Sequence, residues 1–237
     1  MASREAALAL LNRDPIRNIS IINFLEARPS AQILQFGDSV LARGEEGIAY
    51  ISAQNEHELE QIIAVLDERD KFLTSLEDWV AERLGQNRDI KIYPHKKYIL
   101  PLDAQLPEQK HPVSPLAPEY FDMVATHWLE DEDDDEEVRQ YVLHCLSRFP
   151  SAAVYVDGEP VSWAGIHEDG AIGFLYTREE HRGNSYAYSI SINLIKQQRA
   201  QGKISYVLIE EGRKSLGLAS KLGFVHAGSS CWVDFRQ

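Results

Sequence analysis

Five of the ten prolines fall in one short stretch, at Pro101, Pro107, Pro112, Pro115 and Pro118. Proline fixes its own backbone dihedral and has no N–H to donate, so such a stretch can form neither regular helix nor central strand. An extended connector follows. A chain of 237 residues admits one sizeable core or two compact modules, and the connector favours two. The boundary is expected near Pro112, giving an N-terminal module over 1–111 and a C-terminal one over 112–237.

Ahead of the connector, Asp14 and Pro15 read as an N-cap with proline in the first turn of a helix carrying Ile16, Ile21, Ile22 and Leu25. Three strand-like runs follow, Ala31 to Phe36, Ser39 to Ala42 and Gly47 to Ser52. Their separators, Gly37-Asp38 and Gly44-Glu45-Glu46, predict an antiparallel meander with tight turns. Leu59, Ile62, Ile63 and Leu66 form the apolar stripe of an amphipathic helix over Glu56 to Glu68. Phe72 to Leu84 reads as a further helix and Asp89 to Leu100 as a strand, completing a small α/β module.

After the connector, helices are expected over Pro118 to Leu129 and Val138 to Arg148. Asp157-Gly158 between Ala152–Val156 and Pro160–His167 is a strong hairpin signal, and Gly170 to Thr177 supplies the next strand. A helix over Ser185 to Gln201, capped by Gly202, buries Ala187, Ile190, Leu194 and Ile195. The strand Ile204 to Ile209, the helix Lys214 to Leu222 and a strand from about Val225 to Phe235 close the order.

Charge narrows the partners. A formal net charge of -13 repels polyanions, which argues against general nucleic-acid binding and favours a cationic or small neutral ligand. Part of that charge is the run Glu130 to Glu137, which reads first as a solvated, self-repelling loop or frayed helix end. Neither a membrane span nor a signal peptide is expected, because no apolar run is long enough and Glu5 interrupts the start. The expected location is cytoplasmic. Cys145 and Cys231 have no metal-ligand spacing, so they are expected as reduced thiols with no metal site.

The segment Phe174-Leu175-Tyr176-Thr177-Arg178-Glu179-Glu180-His181-Arg182-Gly183-Asn184-Ser185-Tyr186-Ala187 carries the chemistry. It runs from a strand through a short polar turn into a helix. The first helical turn leaves backbone N–H groups without intrahelical partners and carries the positive end of the macrodipole, which suits a phosphate. Gly183 allows close backbone approach, Asn184 and Ser185 are small and cap-competent, and Arg182 adds a cation. The segment lacks the glycines of a dinucleotide fingerprint and the lysine of a P-loop.

The run Thr177 to Ala187, T-R-E-E-H-R-G-N-S-Y-A, resembles motif A of the GNAT superfamily of N-acetyltransferases. There a strand gives way to a helix that cradles the pyrophosphate of coenzyme A. Ser215 and the Leu222-Gly223-Phe224 turn are similar to that superfamily's motif B, and Pro160-Val161-Ser162-Trp163 adds a resemblance to its glycine N-acyltransferase-like branch. The resemblance covers roughly Pro118 to Phe235. It implies a mixed, mostly antiparallel sheet flanked by helices, an α/β (α+β) GNAT fold, with the N-terminal module a smaller and degenerate GNAT-like copy.

By the same resemblance, acetyl-CoA or another acyl-CoA is the co-substrate. It is held by Leu175, Tyr176, Thr177, Arg182, Gly183, Asn184, Ser185, Tyr186, Ala187 and Ser215. The acceptor is expected to be a small amine or amino acid that attacks the thioester directly, on a monomer or homodimer. The superfamily's second glycine is Ser185 here, its motif B asparagine is Gly212, its tyrosine acid falls at Ala219 and the branch's glutamate base at Ala171. Proton-transfer candidates are therefore drawn from neighbouring residues. For the base these are His167, Glu168 and Asp169, with Glu168 preferred, and for the acid or the acceptor wall Tyr176. Trp128 and Trp163 are candidates for the acceptor wall or for core packing, and the acidic run for attracting a cationic amine. The same substitutions leave open an inert CoA-binding or regulatory module.

Overall fold

The computed structural model describes residues 3–44, 47–86, 88–129, 136–210, 212 and 215–235. They form two compact units. One comprises Met1–Lys97, Ile209–Arg213 and His226–Gln237, and the other Tyr98–Leu208 and Lys214–Val225. The division at Lys97 lies upstream of Pro112, and the last strand is assigned to the first unit.

The chain begins with helices α1 (Arg4–Leu11) and α2 (Ile19–Ala27), then strands β1 (Gln32–Phe36), β2 (Ser39–Arg43) and β3 (Ile48–Ser52). Helix α3 (Glu56–Ile63), strand β4 (Phe72–Leu76), helix α4 (Asp78–Gly85) and strand β5 (Lys91–Leu100) follow. Next come helices α5 (Phe121–Trp128) and α6 (Glu136–Arg148), then strands β6 (Ser151–Val156), β7 (Glu159–Ile166) and β8 (Ile172–Thr177). Helix α7 (Tyr186–Ala200), strand β9 (Ser205–Ile209), helix α8 (Ser215–Leu222) and strand β10 (Val225–Asp234) complete it. The order helix-helix-three strands-helix-strand-helix-strand thus occurs twice.

In the first unit the strands lie in the order β1-β2-β3-β4-β10-β5, with the expected meander antiparallel and β3 parallel to β4. Strand alternation sends Leu41, Ala49 and Ile51 to one face with Leu59 and Ile62 of α3. Val40, Ala42 and Tyr50 face Leu11, Phe24 and Leu25 on the other side. Both faces being covered, the sheet carries a core on each side. An ion pair between Arg43 and Asp70, 2.7 Å and almost fully buried, ties β2 to the loop after α3.

Two helix expectations fail here for identifiable reasons. Asp14 does accept a hydrogen bond from Arg17 N at 3.1 Å, but the helix opens only at Ile19. The buried Lys97 ammonium donates to the carbonyls of Ile16 and Arg17, at 3.2 and 2.9 Å, which takes the acceptors a helical turn would use. Phe72–Leu84 is a strand and then a helix. Phe72, Leu73 and Thr74 pair with β3, while Ser75 with φ 60° turns the chain before α4 begins. A short apolar run is compatible with either element, and here the neighbouring strands decide. Helix α1, capped by Ser3 Oγ accepting from Ala6 N, was not anticipated as a helix.

In the second unit β6, β7 and β8 form an antiparallel sheet. The Asp157-Gly158 turn has φ 52° and 87°, the left-handed pair that a two-residue hairpin needs. Val124, Val142, Cys145 and Leu146 from α5 and α6 pack on Ala153, Trp163 and Phe174. Strand β9 follows α7 in this unit. Among the described residues no helix is long and apolar enough to cross a membrane.

Candidate functional site

The site begins where β8 leaves regular pairing. Its register to β7 shifts between Trp163 and Gly165, and Phe174 on β8 has φ 54°, a strained conformation for an aromatic residue. On the other side, among the described residues, the contact of this strand with β9 is a parallel bridge between Ala171, just before β8, and Tyr206. The two strands therefore part along the remainder of β8. Arg178 N donates to Val161 O of β7 at 2.9 Å, so the alternation of strand backbone turns the N–H groups of Thr177 and Leu175 into that split.

The strand ends in a turn that leaves donors exposed. Gly183 has φ 84°, and a Cβ there would meet nothing within 4 Å. Ser185, the residue before α7, has φ 64° and makes no side-chain cap hydrogen bond. Among the described residues no protein acceptor takes the N–H groups of Gly183, Asn184, Ser185, Tyr186 or Ala187. These amides sit at the positive end of α7 and beside an open surface, a geometry that fits a diphosphate. Arg182 donates to Thr177 O at 3.2 Å, pairs with Glu179 at 2.7 Å and lies 5.6 Å from the Tyr176 ring. That ion pair is exposed on both sides, so a phosphate can compete for the guanidinium at little cost.

Two contributors escaped sequence reasoning. His111 Nε2 donates to Asn184 O at 2.7 Å and its ring meets Tyr186 edge-on at 4.7 Å. The N–H groups of Lys110 and His111 donate to Ser189 Oγ, both at 3.2 Å. The proline-rich connector thus braces the turn from 73 residues away. Ser215 opens α8, and among the described residues no hydrogen bond joins it to the Arg182–Ala187 turn.

Aromatic rings pack around the bulge. Tyr176 packs on His127 at 3.6 Å and on the buried Trp163 at 5.1 Å. Trp128, 38% exposed, meets Phe174 at 5.0 Å and His167 at 5.9 Å. His167 Nδ1 lies 3.0 Å from the Tyr141 hydroxyl.

The turn after His167 is buried. Asp169 accepts from Ala171 N, Tyr206 donates to Asp169 O, and Gln198 donates to Gly170 O. Glu168 is only 1% exposed. Burial first, then the negative surroundings that include Glu168 and Asp169, pushes the Tyr141 phenol and the Cys145 thiol well above their usual values, so both stay protonated. Ala171 and Ala219 are buried small residues. Residues Glu130 to Asp135 of the acidic run lie outside the described residues, while Glu136 and Glu137 open α6. Among the described residues no group of three or more His, Cys, Asp or Glu is arranged to hold a metal.

Residues 157–233 match the family model described as FR47-like protein. No curated protein matches. Over nearly its whole length the chain is similar in structure to a Drosophila protein, with 12% identity, 99% and 97% of the two chains covered and a TM-score of 0.80. A GCN5-related N-acetyltransferase from Kribbella flavida is similar over 93% and 95% of the chains, at 14% identity and a TM-score of 0.64. A GCN5-related N-acetyltransferase-like protein from Streptococcus suis covers 87% and 88%, at 17% identity and 0.51. At such identities the likeness is one of fold. The chain has the mixed, largely antiparallel α/β architecture of GNAT N-acetyltransferases.

Proposed function

We propose that this chain transfers an acyl group from an acyl-CoA, acetyl-CoA foremost, to the amino group of a small amine or amino acid. The observation that carries the reading is the parting of β8 from β9 directly upstream of a turn whose amides face open space. In this proposal the 112–237 portion is the acyltransferase module. Its Arg182, Gly183, Asn184, Ser185, Tyr186 and Ala187 hold the diphosphate, Leu175, Tyr176 and Thr177 offer backbone groups to the pantetheine arm, and Ser215 stands at the start of α8. Bound acyl-CoA supplies an activated thioester carbonyl, and the protein contributes alignment and proton handling.

Those two demands can be sized. An alkylammonium with pKa near 10.4 lies about 3 units above neutral pH, so presenting a neutral amine costs roughly 4 to 5 kcal/mol. Alignment can contribute about 7 to 11 kcal/mol in favourable cases. A modest base therefore suffices where positioning is good. Backbone N–H groups of Leu175 and Thr177 are placed to stabilise charge developing on the carbonyl oxygen.

The N-terminal portion reads as a degenerate copy of the same fold, supported by the repeated element order. Its counterpart of the phosphate turn, ahead of α3, differs in kind. Asn55 already caps that helix by accepting from Glu58 N, and Glu56 and Glu58 make its first turn acidic. A diphosphate would be repelled there.

Calorimetry with CoA and acetyl-CoA, followed by thiol release with a panel of amines and amino acids, tests the proposal. Binding at one site per chain with amine-dependent thiol release is expected. Absence of any binding would refute it, and binding without release would favour an inert CoA-binding module.

A further inference from the structure

Resting on the acyl-CoA reading above, we propose that His111 of the connector is a positioning residue that keeps the Ser185 amide turned toward the diphosphate. His111 Nε2 lies 2.7 Å from Asn184 O. A carbonyl oxygen only accepts, so this nitrogen carries the hydrogen. The ring stands edge-on to Tyr186, 4.7 Å away between centroids at an interplanar angle of 77°. Its backbone is anchored on Ser189 Oγ, which accepts from Lys110 N and His111 N, both at 3.2 Å, and donates to Ser185 O at 3.3 Å. That buried hydroxyl thereby uses its one donor and both lone pairs. Gln109 Nε2 closes the corner by donating to His111 O at 2.8 Å.

What the imidazole holds is one peptide unit. Among the described residues no peptide bond is cis, so the Asn184 carbonyl and the Ser185 N–H point in opposite directions. With the oxygen drawn to His111, the Ser185 N–H faces away from the connector, and no protein acceptor among the described residues takes it. The reverse orientation would offer a carbonyl oxygen to the phosphates, and like charges would repel.

The serine itself pulls toward that reverse orientation. Ser185 has φ 64°, a region disfavoured for any residue with a Cβ, and its side chain makes no cap hydrogen bond to offset this. Half a turn of the Asn184–Ser185 peptide unit would carry its φ into the negative range open to every residue. The His111 hydrogen bond opposes that rotation. A glycine at 185 would feel no such pull, because it occupies both regions about equally. His111 thus does for this serine what a glycine would do unaided.

The brace is one hydrogen bond, so its loss leaves part of the population with the amide misdirected and lowers apparent affinity in proportion. Calorimetry of the full chain with acetyl-CoA should give a Kd raised about 3- to 10-fold in His111→Ala. His111→Gln, whose amide nitrogen stands as many bonds from the backbone as Nε2, should stay within about twofold of the parent. Adding Ser185→Gly to His111→Ala should bring Kd within about twofold of Ser185→Gly alone, a rescue that a merely structural contact would not allow. In turnover, KM for acetyl-CoA should follow Kd while kcat stays within about twofold, since the bond acts on binding. His111→Asn, which stops short of the carbonyl, carries the same test where the alanine variant does not fold. A loss below about twofold in the alanine variant, an equal loss in the glutamine variant, or the same loss with serine and with glycine at 185 would overturn the brace and leave the acyltransferase reading standing. Acetyl-CoA binding without thiol release from any amine would overturn acyl transfer alone, with the calorimetric ratios still deciding the brace. Absence of acetyl-CoA binding to the parent chain would overturn both.

Discussion

Replacing Ser185 with glycine should stabilise the protein, whereas replacing Gly183 with alanine, two residues earlier, should destabilise it by a similar amount. Both positions are left-handed, at φ 64° and 84°. An L-residue pays roughly 1 to 2 kcal/mol in that region relative to glycine, while glycine costs about 0.5 to 1 kcal/mol through its freer unfolded chain. Ser185 makes no side-chain cap, so its hydroxyl offsets little. The net expectation is a gain of about 0.5 to 1 kcal/mol for Ser185→Gly. Gly183 has open space around it, so alanine meets only the backbone penalty and loses about the same. Urea unfolding monitored by circular dichroism would measure both, with melting points moving by roughly 1 to 4 °C in opposite directions. Since neither change removes a backbone N–H, acetyl-CoA affinity should shift less for Ser185→Gly than for Gly183→Ala. Destabilisation by Ser185→Gly would mean that the hydroxyl contributes something the geometry does not display, and the strain argument would be wrong.

Three further outcomes are expected. Arg182→Gln should weaken acetyl-CoA binding by about 1 kcal/mol or more, with a shallower salt dependence than the parent chain, as calorimetry at two ionic strengths would show. Asp70→Asn should cost about 3 to 5 kcal/mol in denaturant unfolding, because it leaves the buried Arg43 guanidinium without its carboxylate. The Glu58 carboxyl, hydrogen-bonded first by Ser39, is held below its ordinary 4.5. A depressed carboxyl stabilises the fold above the unfolded pKa and loses that contribution as pH falls through the folded one. The melting-point deficit of Glu58→Gln at pH 7 should therefore shrink on acidification below about 4.5.

Local chemistry was legible in the sequence. Asp157-Gly158 predicted a two-residue hairpin, and the register pairs Val156 with Glu159 as that turn requires. The stripe of Leu59 and Ile62 and the cap at Gly202 likewise reflect forces acting over one or two helical turns. What could not be read depends on distant partners. Lys97 denies Ile16 and Arg17 their helical bonds from 80 residues away. Phe72 to Leu76 become a strand because β3 and β10 are there to receive them. At the candidate site the strand-turn-helix was visible, but the brace from His111 and the pairing of Tyr141 with His167 arise only when the connector and α6 have folded into place.

The last strand is also a structural member of the first unit. Cys231 and Val233 of β10 pair with Leu76 and Leu73 of β4, across about two thirds of the sequence. During synthesis β4 must emerge with one side uncovered until β10 has been made. A nascent chain in this state offers a sticky hydrophobic border to chaperones or to its neighbours on a polysome. Truncation of a few dozen residues at the far end would therefore damage the beginning of the protein, and limited proteolysis should find its earliest new cuts there.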